Sequence, residues 1–200
     1  MTRLFCNPTS EQKLLFLCSR FNISADLTVE IKALARGVNF GKLCRLAEEE
    51  GVSSLLRENL IKAGVKIPRT QLKRLTAMHD RNILKQIMYS RELKRMLGLL
   101  KRKKIEPLAL KGAVLMHTLY PQGLRPISDI DLLVKRDDLS SAVEVFEKAG
   151  YKMVLPDMKE WLVQSMLALP FVHKSGFMFE LHTHLINNKW YRETMSIDMD

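Results

Sequence analysis

Glycine, proline and cysteine are all scarce in this sequence. Nine glycines, seven prolines and three cysteines occur among its 200 residues. Few glycines and prolines, together with 27% charged residues, exclude a fibrous repeat and argue against disorder. The cysteines, Cys6, Cys18 and Cys44, are odd in number and lack a zinc-binding spacing. We expect them to be thiols in a reducing compartment, buried as small apolar side chains.

Long apolar runs are also missing. No stretch of about 18 apolar residues occurs, so the sequence predicts no transmembrane helix. The N-terminal stretch MTRLFCNPTSEQ lacks the apolar core of a secretion signal. We therefore expect a cytoplasmic protein. Its hydrophobic content of 46% is enough for one sizeable core, or for two small cores that share an interface.

Positive charge is concentrated in the first half of the chain. Residues 1–107 contain 22 basic and 10 acidic side chains, whereas residues 108–200 contain 10 basic and 12 acidic ones. This asymmetry indicates either a polyanionic partner such as nucleic acid, or plain solvation of helix faces. The sequence leaves both interpretations open.

The first half is predicted to be helical. Ser10 is a candidate N-cap for the first helix, and Gly64 is a candidate stop for the third. The longest helix ends in four consecutive basic residues, which suit the negative end of a helix dipole, or alternatively bind phosphate. Apolar residues recur at helical spacing in four segments, 10–20, 40–50, 52–63 and 70–104.

The second half alternates short apolar segments with amphipathic ones. This pattern is typical of an α/β or α+β region. The predicted strands are 105–110, 129–134 and 151–155, followed by a hairpin of 171–173 and 177–185. The predicted helices are 113–120, 138–149 and 158–168. We place the boundary between a helical region, 1–104, and an α/β core, 105–200, at the change of pattern.

Two aspartates open the predicted strand 129–134. In a strand, residues i and i+2 point to the same face, so Asp129 and Asp131 are predicted to emerge side by side, with Cα atoms about 6.5–7 Å apart. Two like charges this close are unfavourable unless a cation lies between them. Mg²⁺ is bound in this way, by one or two carboxylates and the phosphates of a substrate. An exposed acidic turn at the start of a strand is the alternative.

A second candidate feature is the turn from the strand 105–110 into the next helix. A helix N-terminus offers free N–H groups and the positive end of the dipole. Gly112 allows a phosphate to approach the backbone closely, and Lys111 adds a cation. Because this turn precedes the paired aspartates by about seventeen residues, the two features together predict a site for metal and triphosphate.

Glu180 is the third candidate. In the segment FMFELHTH, the residues Glu180, His182 and His184 share one face of a strand. A carboxylate there can bind the metal that activates an attacking hydroxyl, or accept the proton of that hydroxyl. The Glu-x-His-x-His spacing also permits a transition-metal site. A partly exposed strand end is the alternative for the two histidines.

Three segments, LALKGAVLMHTLYPQGLRPISDIDLLV, AVEVFEKAGY and FELHTHL, closely resemble the uncharacterised nucleotidyltransferase family. That family belongs to the DNA polymerase β-like nucleotidyltransferase superfamily. The resemblance implies an α+β fold in which the helical region precedes a nucleotidyltransferase-type small mixed β-sheet flanked by helices. It also implies transfer of a nucleoside monophosphate from a nucleoside triphosphate to an acceptor hydroxyl, with Mg²⁺ or Mn²⁺ as cofactor and release of pyrophosphate.

The resemblance also assigns the site residues. Asp129, Asp131 and Glu180 match the metal-binding and catalytic carboxylates. The nucleotide-binding positions follow from the glycine turn and from positions typical of this family, Lys111, Gly112, Ala113, Arg125 and Ser128. Arg125 is expected to contact a phosphate or to anchor Asp129. Ala113 is a departure, since the superfamily usually has glycine or serine after the turn glycine.

The sequence also leaves other functions open. The chain ends at Asp200, soon after the third motif, whereas relatives tend to continue with further helices, so we expect a shortened C-terminal part. One alternative function is a catalytically degenerate nucleotide-binding or regulatory module. Another is a basic helical nucleic-acid-binding protein. The acceptor is expected to be a small molecule, a protein side chain or an RNA end.

Overall fold

A computed structural model of the chain describes residues 7–158 and 168–185. The chain divides into two units. The first comprises Met1–Gln86 and Tyr120–Pro126, and the second comprises Ile87–Leu119 and Ile127–Asp200. The boundary between residues 104 and 105 was predicted for two domains that fold independently, and it stays a prediction.

The first unit is helical. Each early helix begins where a polar side chain accepts a hydrogen bond from the backbone N–H of its first turn, which satisfies a donor that the helix itself cannot pair. These N-caps are Thr9, Ser24 and Asn39. The helices are α1 (Ser10–Cys18), α2 (Ala25–Leu34), α3 (Phe40–Glu49), α4 (Ser53–Lys62) and the first part of α5 (Arg69–Arg102).

Four of these helices, α1, α3, α4 and α5, follow the sequence prediction closely, and α2 was not predicted. The expected cap Ser10 is wrong by one residue, because Thr9 accepts from Gln12 N and the Gln12 side chain accepts from Thr9 N, which makes a capping box. Gly64 ends α4 as predicted, with a φ of 65°. The core of this unit includes Leu14, Cys18, Ile31, Leu43, Cys44, Leu56, Leu60 and Leu75.

The cysteine prediction is confirmed for two residues. Cys18 and Cys44 are free thiols with no exposed surface. Burial raises the pKa of the Cys18 thiol to about 12, so the thiol stays protonated and behaves as a small apolar side chain. Cys6 lies outside the described residues.

The second unit is built on a five-stranded mixed sheet in the order β1-β2-β5-β4-β3. The strands β2 and β5 are parallel, and the other three neighbouring pairs are antiparallel. The strands are β1 (Leu108–Ala109), β2 (Ile130–Leu133), β3 (Tyr151–Met153), β4 (Leu169–His173) and β5 (Met178–His182). The helices α6 (Lys111–Thr118) and α7 (Leu139–Lys148) contact β2 and β3 respectively. The predicted α+β class with a small mixed sheet flanked by helices is confirmed.

Aromatic side chains fill the core between α7 and the sheet. The ring of Phe146 lies 5.3 Å from that of Tyr151, 5.1 Å from that of Phe171 and 5.3 Å from that of Phe179. All four rings are buried. Such ring pairs add about 0.5–1.5 kcal/mol each to the free energy gained from burial. This packing fixes the sheet that positions the site.

The strand predictions are right in place, but four of them are too long, and the prediction for β4 is too short because that strand begins at Leu169 instead of residue 171. β1 covers two of the six residues predicted, and β3 ends at Met153 instead of residue 155. The hairpin is confirmed, with its turn closed by a bond from Gly176 N to His173 O of 2.8 Å. The predicted helix 158–168 lies almost wholly outside the described residues. Within the described ranges, we find no helix of the length and apolarity that a membrane crossing requires.

Candidate functional site

The two strands that run parallel, β2 and β5, each contribute a carboxylate at the same level. Asp131 of β2 pairs in register with Glu180 of β5. Paired residues on neighbouring strands direct their side chains to the same face of the sheet. Asp131 is almost fully buried, whereas about a third of the Glu180 side chain is exposed. One carboxylate is therefore held inside the fold and the other faces solvent.

His182 lies between these two carboxylates. It follows Glu180 by two residues on β5 and so shares its face. Its Nε2 atom is 2.8 Å from Asp131 Oδ1 and 3.5 Å from Glu180 Oε2. The imidazole is only 3% exposed. A buried carboxylate needs such a partner, because an unpaired buried charge costs several kcal/mol.

Asp131, Glu180 and His182 form a set that can hold a metal ion. One ligand atom from each lies within 4.8 Å of the others. Carboxylate oxygens suit Mg²⁺ and Mn²⁺, and imidazole nitrogen suits several transition metals. The donor set therefore fits a divalent cation.

Lys111 neutralises part of this negative charge. Its Nζ atom is 2.6 Å from Asp131 Oδ1. This hydrogen bond raises the pKa of the Lys111 ammonium against the opposing effect of burial. Burial raises the pKa of Asp131, but hydrogen bonds from His182 and Lys111 outweigh it and hold that pKa below its ordinary value. Asp131 is thus an anion with two donors on one oxygen.

The backbone at Lys111 is unusual. Its φ of 46° places a non-glycine residue in the left-handed region, which is uncommon and costs energy. β1 pairs with β2, and Leu110 N donates to Asp131 O over 3.0 Å. The strand-to-helix turn is therefore fixed beside Asp131.

Gly112 and Ala113 are in the first turn of α6. The N-cap position, Leu110, has no side-chain bond to this turn, so the usual satisfaction of the first N–H groups by a polar side chain does not occur here. Ala113 is buried in the core of the second unit. The nucleotide contact predicted for this turn stays a prediction.

Asp129 lies just before β2, which begins at Ile130. The prediction placed Asp129 and Asp131 on one strand, but Asp129 precedes the first paired residue. Its Oδ1 atom accepts a hydrogen bond from Ser128 Oγ over 2.8 Å, so Ser128 contacts the neighbouring carboxylate. The charge of Asp129 contributes to the raised pKa of Lys111, so Asp129 is near the cluster although it is not one of the three residues within 4.8 Å. Its role as a metal ligand stays a prediction.

Arg125 belongs to the first unit. Its guanidinium lies over the Tyr120 ring, 5.6 Å from the centroid, and its carbonyl accepts from Gln86 Nε2 over 2.7 Å. The cation–π contact fixes the direction of the side chain. The predicted contact of Arg125 with phosphate, or with Asp129, stays a prediction.

Two residues near the carboxylates were not assigned from the sequence. His182 was treated there as a strand-end histidine or as part of a transition-metal site with Glu180 and His184, and its contact with Asp131 was not predicted. Tyr89 of α5 was missed altogether. Its hydroxyl donates to Ser128 O over 2.6 Å, and its ring packs edge-on against Phe177. Tyr89 thereby holds the segment that leads into β2.

The sequence matches a protein-family model over most of its length. The family model described as uncharacterised nucleotidyltransferase matches residues 36–198. No curated protein matches the chain. Because the family model covers most of the sequence, including all three residues of the carboxylate–histidine set, the chain belongs to the uncharacterised nucleotidyltransferase family.

Proposed function

We propose that this protein is a metal-dependent nucleotidyltransferase that transfers a nucleoside monophosphate from a nucleoside triphosphate to an acceptor hydroxyl. Family membership supports the reaction class. The observation that supports it most is the register pairing of Asp131 with Glu180, because it brings two carboxylates from different parts of the chain to one point. Paired carboxylates on a rigid sheet are what phosphoryl-type transfer with divalent ions requires.

The carboxylates and His182 hold the ion in this proposal. Asp131, Glu180 and Asp129 are the carboxylate ligands, and the His182 imidazole supplies a nitrogen ligand when its hydrogen bond to Asp131 is released. We infer Mg²⁺ or Mn²⁺ from the oxygen-rich donors. When bound, such an ion would supply positive charge that offsets the negative charge developing during transfer.

The turn at α6 receives the phosphates. Lys111 is more than half exposed, so its ammonium can contact a phosphate oxygen while it stays close to Asp131. Gly112 and Ala113 contribute backbone N–H groups at the positive end of the helix dipole. Ser128 orients Asp129, and Arg125 is an additional phosphate contact.

Glu180 acts on the acceptor. Its carboxylate is partly exposed, unlike that of Asp131, so it can reach a hydroxyl from solvent. The hydroxyl oxygen bonds to the α-phosphorus, the bond from that phosphorus to the bridging oxygen breaks, and pyrophosphate leaves with the electron pair. The hydroxyl proton goes to Glu180, which serves as general base.

The wider setting is part of the same proposal. We infer a cytoplasmic protein with a helical domain, residues 1–104, and a catalytic domain, residues 105–200. The acceptor is a small molecule, a protein side chain or an RNA end. The basic first half is compatible with all three.

Pyrophosphate release tests the activity. The full chain is incubated with Mg²⁺ or Mn²⁺, each of the four nucleoside triphosphates, and separate pools of RNA, protein and small-molecule acceptors. We expect release with at least one combination, reduced at least about a hundredfold in Asp131→Asn, since removal of one electrostatic stabiliser commonly costs that much. Glu147→Gln, an exposed carboxylate on α7, is the matched control and should leave the rate unchanged.

A second candidate, a nucleotide-binding module without turnover, is favoured by one contact. Lys111 Nζ already occupies Asp131 Oδ1 at 2.6 Å, where it can take the place of a metal ion as counter-charge. Nucleotide binding without pyrophosphate release in every combination above would establish this alternative and overturn the enzymatic proposal.

A further inference from the structure

The first unit contains a cleft that the proposed reaction does not use. It lies where the chain leaves α2 and where it turns after α4, and its volume is about 340 Å³. This is within the range of small-molecule sites, roughly 300–1,000 Å³. The lining residues are Lys32, Ala35, Arg36, Gly64, Val65 and Lys66.

A glycine turn shapes one wall of the cleft. Gly64 has a φ of 65°, and the turn is closed by bonds from Gly64 N to Ile61 O and from Val65 N to Leu60 O. A Cβ atom at Gly64 would lie 3.9 Å from Lys32 Nζ. The ammonium of Lys32 therefore lies close to the backbone of this turn.

Three cations line the cleft, and none of its lining residues in the described part of the chain is a carboxylate. Lys32, Arg36 and Lys66 are all exposed, and within residues 7–158 and 168–185 none of them forms an ion pair. Lys32 and Arg36 are in the last turns of helical segments, where the helix dipole favours a cation. Lys66 is in irregular chain before α5, so this effect does not account for it.

The remaining lining is apolar. Ala35 is buried and Val65 is half-buried, so they offer a surface for the organic part of a ligand. A cluster of three unpaired cations beside an apolar surface fits a compact ligand with several negative charges. A nucleic-acid backbone spreads its charges along an extended strand, and it fits a concave cleft of this size less well.

We propose that this cleft binds a small organic phosphate through Lys32, Arg36 and Lys66. Phosphate is the ligand group because it carries up to two charges and several strong acceptor oxygens. The Gly64 turn lets the phosphate lie close to the backbone. Binding needs no divalent ion, since none of the described lining residues has a side chain that typically binds a metal.

Metal-free titration with inorganic pyrophosphate tests the proposal. The full ¹⁵N-labelled chain is titrated in EDTA, so binding that depends on a divalent ion at Asp131 and Glu180 is absent. We expect the amide signals of Gly64 and Val65 to shift. The triple variant Lys32→Gln, Arg36→Gln, Lys66→Gln should raise the Kd at least tenfold.

A second triple variant controls for net charge. Lys13→Gln, Arg45→Gln, Lys73→Gln removes the same number of exposed cations from the same unit, and its Kd should stay within about twofold of the wild-type value. Circular dichroism confirms that both variants fold. Because the assay contains no metal and no nucleotide, its outcome is independent of nucleotidyl transfer.

Three results overturn the proposal. If the amides of Gly64 and Val65 do not shift, the cleft does not bind phosphate. If both triple variants weaken binding equally, pyrophosphate binding depends only on the net positive charge of the protein. If a single-stranded oligouridylate binds through the same three cations at least tenfold more tightly than pyrophosphate, the cleft is a nucleic-acid contact.

Discussion

Asp131 and Glu180 occupy paired positions on two parallel strands, and the Nε2 atom of His182 contacts both carboxylates. The pairing links residues that are far apart in the sequence. It places a buried anion beside a partly exposed one, so that one carboxylate is fixed by the fold and the other remains accessible. This arrangement leads to specific expectations for variants of the chain.

The buried contact between His182 and Asp131 predicts a large stability effect. His182→Leu leaves the Asp131 carboxylate without one of its two donors, and we expect a loss of about 2–4 kcal/mol in the free energy of unfolding. Urea titration in EDTA measures it. The double variant His182→Leu, Asp131→Asn should lose less free energy of unfolding than the sum of the losses in the two single variants, by about 1–3 kcal/mol. Strict additivity would mean that the two side chains do not interact.

Lys111 should have opposite effects on metal and nucleotide. Lys111→Gln removes the ammonium that competes for Asp131 Oδ1, so Mn²⁺ should bind several-fold more tightly without nucleotide. The same variant lacks the phosphate contact, so the KM for nucleoside triphosphate should rise about tenfold. Lys111→Arg keeps a cation at this position, so its KM should lie between that of Lys111→Gln and that of wild type. Titration calorimetry and steady-state rates measure the two effects. A weaker affinity for Mn²⁺ in Lys111→Gln would show that Lys111 does not compete with the metal.

Glu92 should make stability depend on pH. The hydrogen bond from Arg95 lowers the pKa of Glu92 below its ordinary value of 4.5, burial opposes this, and the Tyr151 hydroxyl, 2.7 Å from Glu92 Oε1, lowers it further. A depressed carboxyl pKa stabilises the fold above the ordinary pKa, and this stabilisation is lost as the pH falls through the lowered pKa.

Urea unfolding of wild type and Glu92→Gln at pH 7 and at successively lower pH tests this expectation. The difference in unfolding free energy should be largest at pH 7 and shrink as the solution is acidified below pH 4.5. Glu147→Gln on α7 serves as the exposed control and should show no such trend. A difference that stays constant with pH would contradict the assigned role of Glu92.

Phe146 at the centre of the aromatic cluster should dominate the stability of the second unit. It has no exposed surface and contacts three other rings. Phe146→Ala should lower the free energy of unfolding by about 3–5 kcal/mol, because it removes buried area and leaves a cavity. Leu108→Ala, at a position that is 60% exposed, should change it far less. Equal losses in urea titrations of the two variants would argue against this core.

Local patterns were sufficient for most elements of the fold. Helical spacing located α1, α3, α4 and α5, and Gly64 located the end of α4. The prediction missed α2, because ADLTVEIKAL mixes the β-branched residues Thr28, Val29 and Ile31 into a short helix and so has weak helix propensity. The Ser24 cap was the signal available there.

The site was only partly accessible to the same reasoning. Asp131 followed from its position in an apolar strand, but the start of β2 at Ile130 depends on which residues pair with β5. The contact between His182 and Asp131 runs diagonally between strands, so it requires the register of a long-range pairing that no local pattern contains. Glu180 was a candidate from its place on a predicted strand and from its match to a family motif, whereas its pairing with Asp131 follows only from the fold.

The most direct test of the account is Mn²⁺ binding measured by electron paramagnetic resonance on the full chain. We predict one site per chain, with affinity reduced at least about tenfold in Asp131→Asn and in Glu180→Gln, and unchanged in Glu147→Gln. Wild-type affinity in both site variants would contradict the claim that the pairing of Asp131 with Glu180 forms the metal site.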